Sequence, residues 1–585
     1  MLKKILSGAL GAALVCLPVA GALPEQTTAP TTLIRNVMIF DGTGKAPYPA
    51  DVAITDGRFS AIGRNLPGDK QATVIDGKGA SLLPGLTDVH VHWTGMGGIS
   101  RAETATLLLT SGVTTATDFH SAPESFAPKR QWHEQLVSPH VVFTARTATR
   151  GGHGADWGDE NMTRLANTPR EGKGIVAELA PYEPQVIKVF ADGWRYGSGI
   201  NNATINIDAL AAIVTEARSL GMPVVTHTVT VDGAKTAAEA GVTAIVHAVQ
   251  DRKLDTELLD LLKASGTYYA PTLAVYEPRA DKVSGNTQAQ MQPILRRQEA
   301  SRYNLQQIAE AGIPIALGTD SGISATPFGE SSLRELELLV DFGLTPSQAL
   351  IAGTANSARV LGLGDDRGTI ETGKRADFVL VQGEPWRNIS DYRNITSVYV
   401  DGRQVVRDGT LTVAQGPDVP PAVPANPLID DFERPDSLTA GGARRLSDVE
   451  NGFPRSTLIT QTVPREGGGL ALSLSADLSD KESPRALVVL PLAPGSVTPS
   501  DASRFQGVRF DVRGDDGTYR ADIVSGGGAA VHEFTAGPAW QTLEIPFDSL
   551  AGEAFSAESL YAVRVGAARA GGETFWLELD NVTFY

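Results

Sequence analysis

The sequence predicts a multidomain chain, α/β and then all-β: a (β/α)8 TIM barrel inserted in a small β-sandwich, followed by a C-terminal jelly-roll-like β-sandwich. Three observations carry this. Between residues 82 and 364, eight buried-looking strand segments alternate with helical stretches. Short β-branched runs bounded by Gly and Asp flank that region on both sides. Beyond a Pro-rich stretch at 416–427 the texture is Gly-rich and strand-like to the end.

Lys3 and Lys4 stand ahead of an apolar run from Ile5 to Val19, too short to span a bilayer, and a small-residue cleavage site at Ala20-Gly21-Ala22. Residues 1–22 read as a secretory signal peptide, so the protein is expected to be secreted, in the periplasm. Cleavage removes Cys16, the one cysteine, and rules out disulfides; a lipid anchor on Cys16 is disfavoured by the bulk of Val15. Residues 23–81 supply the first part of the small sandwich, with strands at Thr32 to Ile39, Asp51 to Ile54 and Phe59 to Ile62. The barrel strands are Leu82 to His92, Val113 to Phe119, His140 to Ala145, Val186 to Ala191, Val224 to His227, Ala244 to His247, Tyr268 to Val275 and Ile313 to Asp320. Segments between them, such as Ile207 to Leu220 and Asp232 to Ala240, carry apolar residues at helical spacing. After a helical region, Ser331 to Leu363, strands at Gly368 to Gln382 and Ile395 to Val406 rejoin the N-terminal ones, giving the sandwich residues 365–415. The linker 416–427 then sets off residues 428–585, with strands at Val508 to Val512, Leu543 to Phe547, Ala562 to Val565 and Thr574 to Leu579.

With 42% hydrophobic and 20% charged residues the 585-residue chain sits in the globular range. Its net charge of −17 repels phosphates, which excludes sequence-independent nucleic-acid binding. Stable membrane insertion is not expected either.

In a (β/α)8 barrel catalytic groups sit at the C-terminal ends of the strands, so position along each strand is informative. His90-Val91-His92 ends the first strand, and the two-residue alternation of a strand points both imidazoles the same way. Alone, an H-x-H pair is a weak signal among nine histidines. Three more strand ends carry ligand types: His227 in VVTHTV, His247 in AIVHAV and Asp320 in IALGTDSG. Histidines that merely pack have no reason to share one rim, so the five together predict a metal site at the barrel mouth. Lys188 lies mid-strand between Ile187 and Val189, where burial disfavours an ammonium; the plainer alternative is a lysine that snorkels outward or pairs with an acid.

PGLTDVHVH, IKVFADG, the histidines of strands five and six and GTDSG together resemble the amidohydrolase superfamily, and within it the imidazolonepropionase and prolidase-like branch, over Thr32 to Gly409. The resemblance implies a binuclear centre. His90, His92 and Asp320 would hold one ion, His227 and His247 the second, and Lys188, carboxylated by carbon dioxide, would bridge them. A mononuclear site on His90, His92, His227 and Asp320 is the alternative. One or two divalent ions, zinc being the default for His and carboxylate ligands, would bring the pKa of bound water towards ~7 and polarise a carbonyl. Asp320 would accept the water's proton and hand it to the leaving amine.

His153, in TRGGHGADWGD after the third strand, matches a GGHG of that branch; it either acts in catalysis by steadying the oxyanion or caps its loop. Arg195 and Tyr196 in DGWRYGSG, and Tyr276 past strand seven, are candidates for binding substrate, a guanidinium matching a carboxylate; a surface salt bridge is the alternative for Arg195. The chain departs from the branch in DGWRYGSG, which replaces a smaller Gly-rich loop, and in His120, which follows Thr117-Asp118 where the branch has Arg-Asp. Both departures bear on substrate. His133, His140 and His532 are assigned no role.

LIDDFE at 428–433, FQGVRFDVRGDDGTYRADI, WQTLEIPFDSL and the closing WLELDNVTFY resemble the domain of complex I intermediate-associated protein 30, a galactose-binding-like sandwich. In a secreted chain this implies a glycan or envelope ligand. Glu433 and Asp580, where the first and last strands meet, suit a structural calcium or are plain solvated charge.

The expected function is metal-dependent hydrolysis of a C–N bond in an amide, cyclic amide or small peptide. Two alternatives stand beside it: an ester, lactone or phosphotriester hydrolase on the same site, or a binding or assembly protein whose C-terminal sandwich is the functional part.

Overall fold

A computed structural model describes residues 32–68, 71–95, 98–156, 162–323, 325–550, 555–569 and 572–585. The expected signal peptide lies outside the described residues.

Leu86–Asp88, Val113–Asp118, His140–Ala148, Val186–Phe190, Val224–His227, Ala244–Val246 and Tyr268–Ala270 pair in parallel in chain order. Segment 313–321 closes the ring through short bridges: Tyr269 pairs with Ile315, Val91 with Ser321, and the Val89 amide donates to the Leu317 carbonyl at 3.0 Å. The expected barrel is thereby formed. Helices cover the outer faces, so strands such as Val186–Phe190 are buried along their whole length.

Two strands depart from their expected extents. Leu82 to His92 is split at Gly85. Ser81–Pro84 leaves the barrel to pair antiparallel with Phe378–Val381, and only Leu86–Asp88 joins the ring. A Cβ on Gly85 would fall 2.3 Å from the Thr114 side chain, so the crossing requires glycine. Tyr268 to Val275 ends as a strand at Ala270. Thr272 turns left-handed at φ 47°, and Leu273–Tyr276 forms a helical turn whose Leu273 and Ala274 amides donate to Glu335 at 2.8 and 2.7 Å.

Burial pushes the Glu335 carboxyl up to about 8 against those two hydrogen bonds. An acid whose folded pKa is raised is bound to its proton more tightly in the fold, so its contribution to stability declines as pH rises from about 4.5 to about 8. Glu335→Gln does not titrate and loses one acceptor, at a cost of about 1–3 kcal/mol. Thermal melts are expected to show it less stable than wild type at pH 5, with the gap closing or reversing by pH 8. A constant gap across that range would count against the buried, protonated acid.

The segments that bracket the barrel unite in one nine-stranded sheet around Ile34, Val52, Phe59, Leu82, Phe378 and Tyr399. Within Gly368 to Gln382 only Phe378–Val381 is strand, its Phe378 ring stacked on Tyr399 at 4.3 Å. At the C-terminus a seven-stranded and a six-stranded sheet share a core that includes Leu474, Phe510, Val512, Ile523, Val565 and Leu577. The Pro-rich stretch between is tied down. Gln415 exchanges hydrogen bonds with the Val137 backbone at 2.8 and 2.9 Å, Trp132 Nε1 donates to the Pro417 carbonyl at 3.0 Å, and Ser100 Oγ donates to Asp418 at 2.7 Å. Glu433 accepts the Leu470 amide, Asp580 pairs with Arg465, and the two acids form no metal-binding group among the described residues. Among those residues, too, no helix is long and apolar enough to cross a membrane.

Candidate active site

The barrel strands deliver their last residues to one end. The Nε2 atoms of His90 and His92 lie 3.1 Å apart, and Oδ1 of Asp320 lies 3.3 and 2.9 Å from them. His247 Nδ1 is 3.9 Å from Oδ2 of the same carboxylate. The imidazoles then continue around the rim, with ring centres 4.7 Å apart for His90 and His247, 4.4 Å for His247 and His227, and 4.6 Å for His227 and His153. Lys188 Nζ lies between the rings of Phe119 and Phe190, 5.0 and 5.8 Å from their centres. These residues line a single cavity of about 460 Å³, together with Arg146, Tyr196, Tyr276 and Arg297.

Of the residues singled out in the sequence, His90, His92, His153, Lys188, Tyr196, His227, His247, Tyr276 and Asp320 are therefore brought together. Arg195 is not among the lining residues; its guanidinium turns to Asp156, at 2.9 Å. Arg297, on the helix Gln288–Glu310, takes the cationic place in the wall, its NH1 donating to the Tyr196 carbonyl at 3.2 Å. His140 lies at the start of its strand, where it meets Asp377 and Asp401 of the flanking sheet at 3.2 and 3.7 Å. His133 packs on Trp93 and bonds Ser138, and His120 stands behind His92 with ring centres 5.9 Å apart.

Local structure explains the convergence. His247 and Asp320 adopt φ values of 87° and 60°, a left-handed region uncommon for residues with a side chain. Gly322 makes the turn after Asp320 possible, since a Cβ there would lie 1.9 Å from the His92 carbonyl oxygen. Thr272 Oγ1 contacts His247 Nδ1 at 3.0 Å. Asp88 ties the first strand to the last by accepting the amides of His90 and Thr319, both at 3.1 Å, and the hydroxyls of Thr319 and Ser332, both at 2.8 Å. Asp192 does the same for strands four and five through the amides of Trp194, Val229 and Thr230. None of Asp88, Asp192, Thr272 or Arg146 was singled out in the sequence. A carboxylate two residues before His90 in LTDVHVH, and an arginine inside VVFTARTA, were the available signals.

The electrostatics favour ligation. Burial, reinforced by neighbouring cationic groups, holds His90 and His227 well below the usual histidine range, and burial takes His247 to about 3, so these imidazoles stay neutral with lone pairs free to bind. Burial raises the Asp320 carboxyl, but the hydrogen bond from His92 and the nearby Lys188 outweigh it and hold the acid low. Burial brings Lys188 down to about 7, only partly opposed by Asp320, and its Nζ has no hydrogen-bond partner. Bonds of about 2.05 Å to one tetrahedral ion put its ligand atoms about 3.3 Å apart. The three atoms of His90, His92 and Asp320 already have nearly that spacing, so the donor set fits a divalent cation.

Residues 81–405, more than half of the chain, match the amidohydrolase family. The chain belongs to that family. Imidazolonepropionase of Caldanaerobacter subterraneus subsp. tengcongensis is 24% identical over 371 residues, 57% of this chain and 83% of the relative. That of Deinococcus radiodurans is 24% identical over 402 residues, 61% of this chain and 92% of the relative. The crystal structure of a Xaa-Pro dipeptidase with methionine bound in its active site has a TM-score of 0.56 at 25% identity, covering 64% of this amidohydrolase and 99% of the dipeptidase. The protein is thus an enzyme that hydrolyses carbon–nitrogen bonds, and its barrel is more than a scaffold. The family match ends short of the C-terminal sandwich.

Proposed function

We propose that this amidohydrolase is a metal-dependent enzyme that cleaves the amide bond of a small N-acyl amino acid or dipeptide bearing a free carboxylate. The observation that carries the reading is the convergence of four imidazoles and Asp320 around the unpartnered amine of Lys188. His90, His92 and Asp320 would hold one ion, His227 and His247 a second, with a carboxylated Lys188 between them; zinc suits this set. Bound there, such ions lower the pKa of a water towards ~7 and polarise the scissile carbonyl. Asp320, kept ionised, accepts the proton of the attacking water and returns it to the leaving nitrogen. His153 faces the same space and donates to the oxygen that gains charge.

Across the cavity, the hydroxyls of Tyr196 and Tyr276 lie 3.1 Å apart beside Arg297. Burial pushes Tyr196 up to about 12 and Tyr276 well above its ordinary value, so both remain neutral donors. Two phenols and a guanidinium suit a carboxylate. Arg297→Ala is expected to raise KM about 10- to 100-fold for N-acyl amino acids and dipeptides, with little change in kcat and none for the matching carboxamides. Equal losses on both substrate sets would remove the carboxylate from the assignment. A panel that adds esters and lactones, run with and without chelator, tests the reading as a whole.

Residues 1–22 support export to the periplasm. The domain limits near residues 82, 364, 415 and 428 follow the changes of texture along the sequence. The C-terminal module is assigned a galactose-binding-like fold of the complex I intermediate-associated protein 30 type, with a glycan or envelope ligand, on sequence resemblance.

A further inference from the structure

The C-terminal sandwich meets the barrel beside its second and third strands, on the loops that follow them and on the last turn of the helix Pro169–Leu179. The Gly452 amide donates to the Asp156 carbonyl at 2.8 Å. Arg444 reaches Glu124 and Glu178 at 3.3 and 3.4 Å, and the same two acids hold Arg164 at 2.8 and 2.9 Å. Gly495 approaches so closely that a Cβ on it would lie 2.4 Å from Ser125 Cα.

Asp156 is where this seam joins the active site. Its carboxylate accepts the Gly154 amide at 3.0 Å, Arg195 at 2.9 Å and Asn202 at 3.0 Å, and its Oδ1 lies 3.6 Å from His153 Nδ1. His153 in turn lines the catalytic cavity. The loop has little slack, since a Cβ on Gly154 would fall 2.4 Å from the Phe190 ring. An outside anchor on such a loop removes conformations that the catalytic geometry would otherwise have to select against.

We propose that the C-terminal sandwich is a working part of the catalytic mouth: by anchoring Asp156 through Gly452 it fixes the loop that presents His153 to the metal-ligand set. Asp156 and Gly452 are then positioning residues. The inference rests on the catalytic role given to His153 above.

Two full-length variants test it. Arg444→Glu sets a third carboxylate against Glu124 and Glu178. Gly495→Asn keeps a left-handed residue at φ 62° but drives a side chain into Ser125. Hydrogen exchange is expected to quicken at least about tenfold at the Gly452 amide and across residues 149–156, with Val186–Phe190 unchanged. On a dipeptide that the wild type turns over, kcat should fall about tenfold while KM stays within about twofold, and adding Glu178→Arg to Arg444→Glu should restore both readouts. If Gly452 is released while residues 149–156 exchange at the wild-type rate, the anchoring is wrong. If the loop loosens and kcat holds, its catalytic consequence is wrong. Exchange is read without substrate, so an error in the substrate class would appear separately, as absence of wild-type turnover.

Discussion

Asp320→Asn is expected to lower kcat by about a thousandfold or more while the folded state persists. Among the described residues the aspartate is the one acid in contact with His90, His92 and His247 at once. Asparagine matches it in size and tolerates its φ of 60°, so the turn after the eighth strand survives. What disappears is the negative charge facing the cation site and the capacity to take up a proton, a role worth 10²–10⁴-fold on its own. Far-UV circular dichroism of the metal-free protein should stay at the wild-type value and its Tm at or somewhat below it, because the fold holds the Asp320 carboxyl low and the ionised form therefore adds stability that a neutral amide does not. Retention of more than about a tenth of the activity would show that the proton travels by another route.

Lys188→Ala carries the second large effect. The amine is 1% exposed, has no hydrogen-bond partner and is brought by burial to about 7, so a sizeable fraction is neutral at physiological pH. A neutral amine attacks the carbon of carbon dioxide and loses a proton, leaving a carbamate anion. Its two oxygens would reach between His90 and His92 on one side and His227 and His247 on the other. Alanine should cost at least about a hundredfold in kcat and reduce the metal content from two ions towards one. Millimolar formate or acetate, entering the space left by the side chain, should restore part of the activity. In the wild type, labelled carbon dioxide should give a carbamate resonance that the variant lacks. Wild-type activity and metal content in Lys188→Ala, indifferent to added carboxylate, would remove the bridge.

Most of the candidate ligand set was legible because two simple periodicities act together. Alternation along a strand puts His90 and His92 on one side, and the rule that barrels present chemistry at strand ends selects His227, His247 and Asp320 from the other candidates. The wall opposite the ligands was not legible in the same way. Arg195 stands three residues from the fourth strand's loop aspartate, Asp192, yet turns to Asp156. Arg297 comes from a helix more than twenty residues before Asp320, and a helical arginine carries no mark of the cavity it faces. Gly85 splits one run of apolar sequence between two sheets, because the nearness of Thr114 is a fact of packing and not of local pattern. The turn at Leu273–Tyr276 depends on Glu335, a residue some sixty positions away.

The nine-stranded sheet has a consequence for how the molecule is made. Ser81–Pro84 lies against Phe378–Val381, so one edge of that sheet has to wait for roughly 300 further residues to leave the ribosome before its neighbour exists. Until then the nascent chain displays an unpaired strand that invites association with other polypeptides. Chaperone binding early in synthesis, and stalled products that clump when truncated before residue 378, are what this connectivity predicts for the cell.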